Sequence, residues 1–293
     1  MKALAHSFAV QLQQGFEVYV LSNEEVELAV VPELGAKIIS VKNLRTGREW
    51  MWHPPGGPKL FANRPGDDFS QSPLIGADEC LPTVAPCVWQ GRAVPDHGEV
   101  WSEPWEVDSA AWAGGMLKTS VRLKISPFEF ERTVGLHEDE IHLGYRLNNL
   151  GAQAEAFLWA FHPLLSSQEG DQLELPASTR ALLNGAGWVD AAPLTIPENN
   201  SAKVFAQPVT EGLAGIRNRL TGDRLEFVWN PVENNTLGLW LTRGGWHGHH
   251  HFAIEPANGD NDTLALAAGR NRCGIVPASD SVSWQIRLRV GSD

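Results

Sequence analysis

The sequence has few basic residues, few cysteines and no long apolar run. Its 23 Lys and Arg residues are outnumbered by 35 Asp and Glu residues, which gives a formal net charge of −12. Nucleic acids and anionic membranes bind basic surfaces, so this balance disfavours both as partners. The N-terminal stretch lacks the uninterrupted apolar segment of an export signal, and no later run has the length of a membrane span. We therefore expect a cytoplasmic protein.

The cysteines are also too few and too scattered for a cross-linked scaffold. The three cysteines, Cys80, Cys87 and Cys273, are odd in number and show no C-x-x-C spacing. This indicates reduced thiols and disfavours a disulfide framework or a zinc ribbon.

The sequence has no G-x-S-x-G elbow, no Walker loop and no dinucleotide fingerprint opening a helix. Hydrolase, NTPase and Rossmann interpretations therefore have no support.

Tryptophan, glycine and proline are abundant, and β-type alternation recurs along the chain. There are 12 Trp, 28 Gly and 19 Pro residues, and the broad face of Trp suits sugar rings, although most tryptophans in any protein are core residues. Apolar and polar residues alternate strictly over 282–290 and nearly so over 117–125. Sustained helical periodicity is absent. These patterns predict an all-β fold, a large antiparallel β-sandwich forming one domain over 1–293.

One long segment, at about 54–104, interrupts the strand pattern. Its first part, up to Cys87, lacks periodicity and is rich in Gly, Pro and Asp. A long stretch without regular structure inside a compact domain is more often functional than accidental. We therefore expect a functional loop here.

The stretch from Gly244 to Pro256 concentrates titratable groups. Read as one strand, it places His247, His249, His251 and Glu255 on one face. The apolar neighbours of Glu255 would raise the pKa of its carboxyl group and make it a usable base near neutrality. Two alternatives remain open: Glu255 pairs with a nearby cation while the histidines line a solvated loop, or the three alternate histidines bind a divalent metal.

Two more histidines lie in Trp-rich or apolar surroundings. They are His97, four residues before Trp101, and His162, at the end of an apolar run. A single His on an apolar strand is more often a core residue than a catalytic one. Together with Glu255, however, they supply an acid and a base that could act on opposite sides of a small molecule.

The order of several short motifs resembles the aldose 1-epimerases, the galactose mutarotase-like proteins. The resemblance covers most of the chain and rests on Val30 to Ser40, Thr46 to Glu49, Gly76 to Pro82, Asp96-His97-Gly98, Trp159 to Pro163, Trp229-Asn230-Pro231 and Ile254-Glu255-Pro256. The fold that it implies is a large antiparallel β-sandwich. Trp229 to Pro231 and His97-Gly98 look nearer to the hexose-6-phosphate branch, but no arginine cluster for a phosphate is evident.

The resemblance also implies roles for individual residues. Glu255 matches the general base, His162 the general acid at the ring oxygen, and His97 a second imidazole that binds the sugar. Further candidates for the wall of the substrate cleft lie near these motifs: Arg64, Asp78, Glu79, Trp101, Asn230 and His251. One departure concerns a substrate-binding Asp that galactose mutarotases place upstream of the base. Between Trp229 and Glu255 this chain has no Asp.

The function predicted from the sequence is that of a mutarotase, which interconverts the α and β anomers of an aldose by acid and base catalysis without a cofactor. Its partner would be a small-molecule sugar, and the oligomeric state is open. Two other functions are kept. One is a sugar-binding or regulatory protein on the same fold without turnover; the other is a metal-dependent sugar isomerase using the histidines of 247–251.

Overall fold

The computed structural model describes residues 6–184, 187–190 and 197–292. Residues 1–5, on which the expected lack of an export signal partly rests, lie outside this range. Among the described residues, no helix is long and apolar enough to cross a membrane.

About half of the described chain forms β-strands, joined by turns, loops and a few short helices. The helices are α1 (Ser109–Ala113), α2 (Leu264–Gly269) and the 3-10 turns Pro32–Leu34 and Phe69–Gln71. The strands are β1 Ser7–Gln13, β2 Phe16–Ser22, β3 Val26–Val31, β4 Lys37–Asn43, β5 Ala77–Cys80, β6 Cys87–Trp89, β7 Arg92–Val94, β8 Glu106–Val107, β9 Leu117–Arg122, β10 Phe128–His137, β11 Glu140–Asn149, β12 Glu155–Phe157, β13 Ala160–Pro163, β14 Asp171–Glu174, β15 Ala181–Asn184, β16 Gly187–Asp190, β17 Asn200–Gln207, β18 Leu213–Asn218, β19 Asp223–Trp229, β20 Thr236–Arg243, β21 His250–Ala257, β22 Gly274–Val276 and β23 Ser281–Ser292.

Within the described residues these strands form two large antiparallel sheets and two small two-stranded ones. The first sheet has the order β1-β2-β3-β4-β5-β13-β21-β20-β17-β15-β16, and the second has the order β14-β18-β19-β23-β11-β10-β9-β8. A continuous apolar core contains residues of both, such as Ile254 of the first sheet and Ile286 of the second. The predicted all-β antiparallel sandwich is confirmed.

Period-two alternation determines which side chains enter this core. In β23 the apolar residues Trp284, Ile286, Leu288 and Val290 are buried, as the sequence pattern predicts. In the first sheet, Ile38, Phe161 and Ile254 enter the core while the adjacent residues Lys37, His162 and Glu255 face the other side. The sheet therefore has one apolar face and one face that carries charged groups.

Two details differ from the expectations. The segment at 54–104 contains β5, a central strand of the first sheet, which its polar sequence Ala-Asp-Glu-Cys does not suggest. The strand expected over 244–256 begins only at His250. His247 has a left-handed backbone with φ of 50°, so that His247 and His249 lie in the turn before β21 and only His251 shares the face of Glu255.

Candidate functional site

A row of ionisable side chains crosses the outer face of the first sheet. Antiparallel register places His162 of β13 opposite Asp78 of β5, and residues that oppose each other in this way share a face. Lys37 pairs with Asp78 at one end of the row, and Lys203 pairs with Glu255 at the other. His162 occupies the middle, next to Glu255. We call these five residues the charged row.

At the centre of the charged row, an imidazole faces a carboxylate. His162 Nε2 lies 3.7 Å from Glu255 Oε1, which is too far for a hydrogen bond. Both side chains are nearly inaccessible, at 9% and 2% relative exposure. Glu255 Oε1 and His162 Nδ1 have no hydrogen-bond partner among the described residues. Buried polar atoms rarely stay unpaired, so this pair has the capacity to bind a ligand.

The His162 imidazole is neutral at physiological pH. Burial lowers its pKa well below the ordinary value, and the nearby positive groups of His97, Lys203 and Lys37 lower it further. A protonated His162 is therefore a minor species at neutral pH and a strong acid when it forms.

Glu255 does not lie in the wholly apolar surroundings that its sequence neighbours suggest. Its Oε2 contacts the ammonium of Lys203, which reaches it from β17. This is the ion pair that the sequence left open as an alternative. The ammonium of Lys203 also lies 3.9 Å from Asp262 Oδ1, and the two carboxylates raise the pKa of Lys203 although burial acts to lower it. The lysine therefore stays charged.

His97 lies on the other side of His162 and is held from two directions. Its ring stacks on Phe69 with centroids 3.8 Å apart, and it meets the ring of His162 edge to face at 5.4 Å. His97 Nδ1 lies 3.0 Å from Asp96 Oδ1. Burial acts to raise the pKa of Asp96, but the hydrogen bond and charge of His97 and the backbone N–H groups of Phe69 and His97 together lower it. The ionised Asp96 can only accept, so Nδ1 donates and Nε2 is left for a ligand.

A close backbone approach brings His97 to this position. Gly98 has φ of +77°, and a Cβ there would lie 2.0 Å from the carbonyl oxygen of Leu81. The Glu99 N–H donates to that same carbonyl over 2.7 Å. Glycine is therefore required for the loop of His97 to pack against the end of β5.

His251 lies among aromatic rings on the strand of Glu255. It contacts Trp52 and Trp246, with ring centroids 4.8 Å and 5.8 Å away. Burial lowers the pKa of His251 to about 3, and neighbouring histidines add to the effect, so the ring is neutral. Neither ring nitrogen has a hydrogen-bond partner among the described residues. His251 can therefore donate one hydrogen bond to a ligand and accept another.

His97, His162 and His251 line a cleft of about 210 Å³. Glu255 is not among the lining residues of this cleft; it lines a smaller cavity that shares Lys203 and Asp262 with it. The wall of the cleft combines aromatic surface, imidazoles and carboxylates, which is the mixture expected for a small polar molecule with apolar ring faces. The lining residues are Phe69, Val84, Ala85, Asp96, His97, His162, Leu164, Lys203, Trp240, Trp246, His251 and Asp262.

The remaining residues predicted for the cleft wall lie in different places. Asp78 is buried in the charged row, where burial raises its pKa and the Lys37 ammonium counters part of the rise. Trp101 is buried behind the cleft, where its indole N–H donates to the Asp96 carbonyl over 2.8 Å. Glu79 points into the core between the sheets and accepts from Arg132, Tyr145 and Trp159.

Two predicted residues are exposed and do not line the cleft. Asn230 follows β19, and its side-chain oxygen accepts the N–H of Val232 over 3.0 Å. Arg64 lies in the loop before β5, where its backbone N–H donates to Asp67 over 2.8 Å. Both lie in turns stabilised by local hydrogen bonds.

Several residues of the cleft were not identified from the sequence. Lys203, Asp262 and Asp96 are the charged ones, although Asp96 belongs to a motif quoted above. Aromatic surface comes from Phe69, Trp240 and Trp246. Lys203 stands between apolar residues in β17, and the sequence around it gives little indication that it belongs to a functional site. Asp262 follows Glu255 in the chain, whereas the family resemblance led us to expect a substrate-binding Asp before Glu255.

The metal hypothesis rested on His247, His249 and His251. The rings of His249 and His251 have centroids 6.2 Å apart, and those of His247 and His249 are 6.3 Å apart. In the part of the chain that the structure describes, no group of three or more His, Cys, Asp or Glu residues is arranged to hold a metal ion.

Comparison with solved structures shows that this chain has the fold of galactose mutarotase-like proteins. A galactose mutarotase-like protein from Clostridium acetobutylicum superposes with a TM-score of 0.75 at 12% identity, and each chain covers 100% of the other. A galactose mutarotase related enzyme from Lactobacillus acidophilus has a TM-score of 0.70 at 14% identity, covering 94% of this chain and 97% of that one.

A Synechocystis protein is similar over the whole chain as well. It has a TM-score of 0.72 at 18% identity, and covers 100% of this chain and 98% of its own. Comparison of the sequence with protein-family models and with curated proteins finds no match. The fold expected from the sequence resemblance is thus confirmed.

Proposed function

We propose that this protein is an aldose 1-epimerase that interconverts the anomers of a sugar. The observation that carries the proposal is the pair of Glu255 Oε1 and His162 Nε2, which lie 3.7 Å apart. His162 lines the cleft, and Glu255 lines the small cavity that shares Lys203 with it. Anomer exchange requires a base at the anomeric hydroxyl and an acid at the ring oxygen. Both oxygens are bonded to one carbon, so their two partners must also lie close together.

In this reaction, the Glu255 carboxylate removes the proton of the anomeric hydroxyl. A protonated His162 gives its proton to the ring oxygen, and the bond between the anomeric carbon and that oxygen breaks. The open-chain aldehyde then rotates about the bond next to its carbonyl group. On closure, Glu255 returns its proton to the former carbonyl oxygen, and His162 recovers its own from the hydroxyl that attacks. The pair therefore ends in its starting protonation state.

Other groups of the cleft are suited to hold the sugar. The free Nε2 of His97 and the two unpaired nitrogens of His251 offer hydrogen bonds, and Trp246 offers an aromatic face. Asp262 supplies a carboxylate for hydroxyl groups, although it follows the base in the sequence. Among the described lining residues, Lys203 is the one lysine or arginine, and it is paired with Glu255. This favours an unphosphorylated aldose.

The test is Glu255→Gln. This change keeps the shape of the side chain and removes its ability to accept a proton, so kcat should fall by a factor of about 10²–10⁴ while sugar binding remains. Anomer exchange is measured by polarimetry or by exchange NMR across a panel of free and phosphorylated aldoses. Glu131→Gln is the matched control, since Glu131 pairs with Lys118 on the second sheet. A folded Glu255→Gln protein with the exchange rate of wild type would remove Glu255 from the mechanism.

A sugar-binding protein without turnover is the second candidate. The neutral state of His162 favours it, because a neutral imidazole is a poor acid. The same panel separates the two functions. Saturable sugar binding by the wild-type protein without accelerated anomer exchange would support the binding protein and exclude the epimerase.

A further inference from the structure

Glu255 presents two different oxygens. Oε2 contacts the Lys203 ammonium, while Oε1 faces His162 and has no hydrogen-bond partner in the described part of the chain. A carboxylate at 1% exposure needs a cation or hydrogen bonds to remain ionised. Lys203 supplies the cation on the side away from His162. The contact with Lys203 therefore makes the two oxygens of Glu255 different: Oε2 is paired with a cation, and Oε1 is not.

The lysine reaches Glu255 across a neighbouring strand. β20 separates β17 from β21, and it places Gly238 directly opposite Glu255 on one side and opposite Phe205 on the other. Lys203 lies two residues before Phe205, on the same face. Its side chain must pass over Gly238 to reach the carboxylate.

Gly238 leaves room for this crossing. A Cβ on Gly238 would lie 3.3 Å from Glu255 Oε2 and 3.5 Å from Lys203 Cε. The backbone of Gly238 does not have a positive φ, so chain geometry does not call for glycine there. Glycine weakens the interior of a strand and often marks a close approach. Here the close approach is that of the lysine side chain.

We propose that Lys203 is a positioning residue that holds Glu255 Oε2, so that Oε1 is the reactive oxygen, and that Gly238 is the gap that permits the contact. The inference rests on the proposed role of Glu255 as the base. Lys203 would act through Glu255 and need not touch the anomeric centre. An oxygen free to rotate away from the substrate would lose reactivity, because small displacements of a catalytic group are costly.

Asp262 completes the arrangement from the other side of the ammonium, at 3.9 Å. The ionisable groups around Glu255 come from four elements: His162 of β13, Lys203 of β17, Cys80 of β5, and Asp262, which follows β21. Burial raises the pKa of the Cys80 thiol well above its usual value, and Glu255 adds to this. Cys80 is therefore uncharged, and Lys203 is the cation in contact with the carboxylate.

The experiment replaces Lys203 by Met, which keeps an unbranched apolar stem and removes the charge. We expect kcat to fall by about tenfold or more with KM nearly unchanged. Protonation of the base should produce an acidic limb, a fall of kcat/KM at low pH, and this limb should move to higher pH in Lys203→Met because the stabilising cation is gone. Lys203→Arg should restore the position of that limb. Lys118→Met is the matched control, because it removes an ammonium from a glutamate on the second sheet.

A second readout does not depend on turnover. The carboxyl ¹³C signal of Glu255, assigned with Glu255→Gln, should titrate at higher pH in Lys203→Met than in wild type, and Gly238→Ala should shift it in the same direction. If wild type shows this titration without anomer exchange, the proposed function fails but the Lys203 contact stands. Titration of Glu255 at the same pH in wild type and Lys203→Met, with equal kcat, would overturn the proposal.

Discussion

Asp78 and Glu79 are consecutive buried carboxylates on β5, and they have different environments. Glu79 faces the core, where Oε1 accepts from Arg132 and Tyr145 at 3.0 Å each and Oε2 accepts from the Trp159 indole at 2.8 Å. Asp78 faces the other side, where Lys37 contacts one oxygen and the second has no partner within the described residues. Because successive residues of a strand face opposite sides, one carboxylate has hydrogen-bond partners on both oxygens and its neighbour has a partner on only one among the described residues.

The groups around these two carboxylates differ as well. On the core side both oxygens of Glu79 accept hydrogen bonds, and the Arg132 guanidinium also packs 5.4 Å from the Trp105 ring centroid. Arg132 Nε has no hydrogen-bond partner among the described residues. On the outer side, polar atoms of Asp78, His162 and Glu255 remain unpaired among the described residues. Native proteins seldom leave buried polar atoms unsatisfied. The core network therefore serves stability, and the charged row retains hydrogen-bonding capacity for a ligand.

The largest effect should come from removing the cation that pairs with Glu79 in the core. Arg132→Met leaves the Glu79 carboxylate buried without its cation, and we expect the free energy of unfolding to fall by about 3–5 kcal/mol. Urea denaturation measures this loss. Arg122→Met, at the exposed end of β9, should stay within about 0.5 kcal/mol of wild type. A loss of similar size in both variants would contradict the assignment of Arg132 to the stability of the core.

The next effect concerns pH and the outer side. Because the pKa of His162 lies well below its usual value, the protonated form grows as the pH falls. If this form is the acid, kcat/KM should rise by about tenfold per unit between about pH 8 and pH 6. Anomer exchange rates across that range test this rise.

The variant His162→Asn tests whether His162 causes this rise of kcat/KM at lower pH. Asn retains a hydrogen-bonding side chain and loses the titrating proton, so the rise should flatten while sugar binding remains. An Asn variant with wild-type exchange and the same pH profile would demote His162 to a packing residue. His97, 5.4 Å away between ring centroids, would then be the stronger candidate for the acid.

The smallest effect should come from metal removal. Exhaustive chelation is expected to leave anomer exchange unchanged, because the proposed steps are proton transfers and the described residues offer no metal-binding group. Metal content and activity are measured before and after treatment. Stoichiometric metal in the purified protein, with activity lost on its removal, would favour the metal-dependent isomerase.

The sequence by itself determined the fold class and much of the strand pattern. Alternation is local, so the apolar faces of β9 and β23 could be read from consecutive residues. Short motifs also point to three candidates, His97, His162 and Glu255. In the structure His97 and His162 line one cleft, and Glu255 lies next to His162. Their catalytic roles remain predictions.

Tertiary structure decided what surrounds those residues. The strand β5 is recognised only by its partners β4 and β13, because its polar residues have little β-propensity. The contact between Lys203 and Glu255 depends on strand order and on the space above Gly238. The opposite environments of Asp78 and Glu79 depend on which face meets the second sheet. Because strands that pair can lie far apart in the sequence, a local stretch of the chain does not predict which distant side chain a carboxylate will contact.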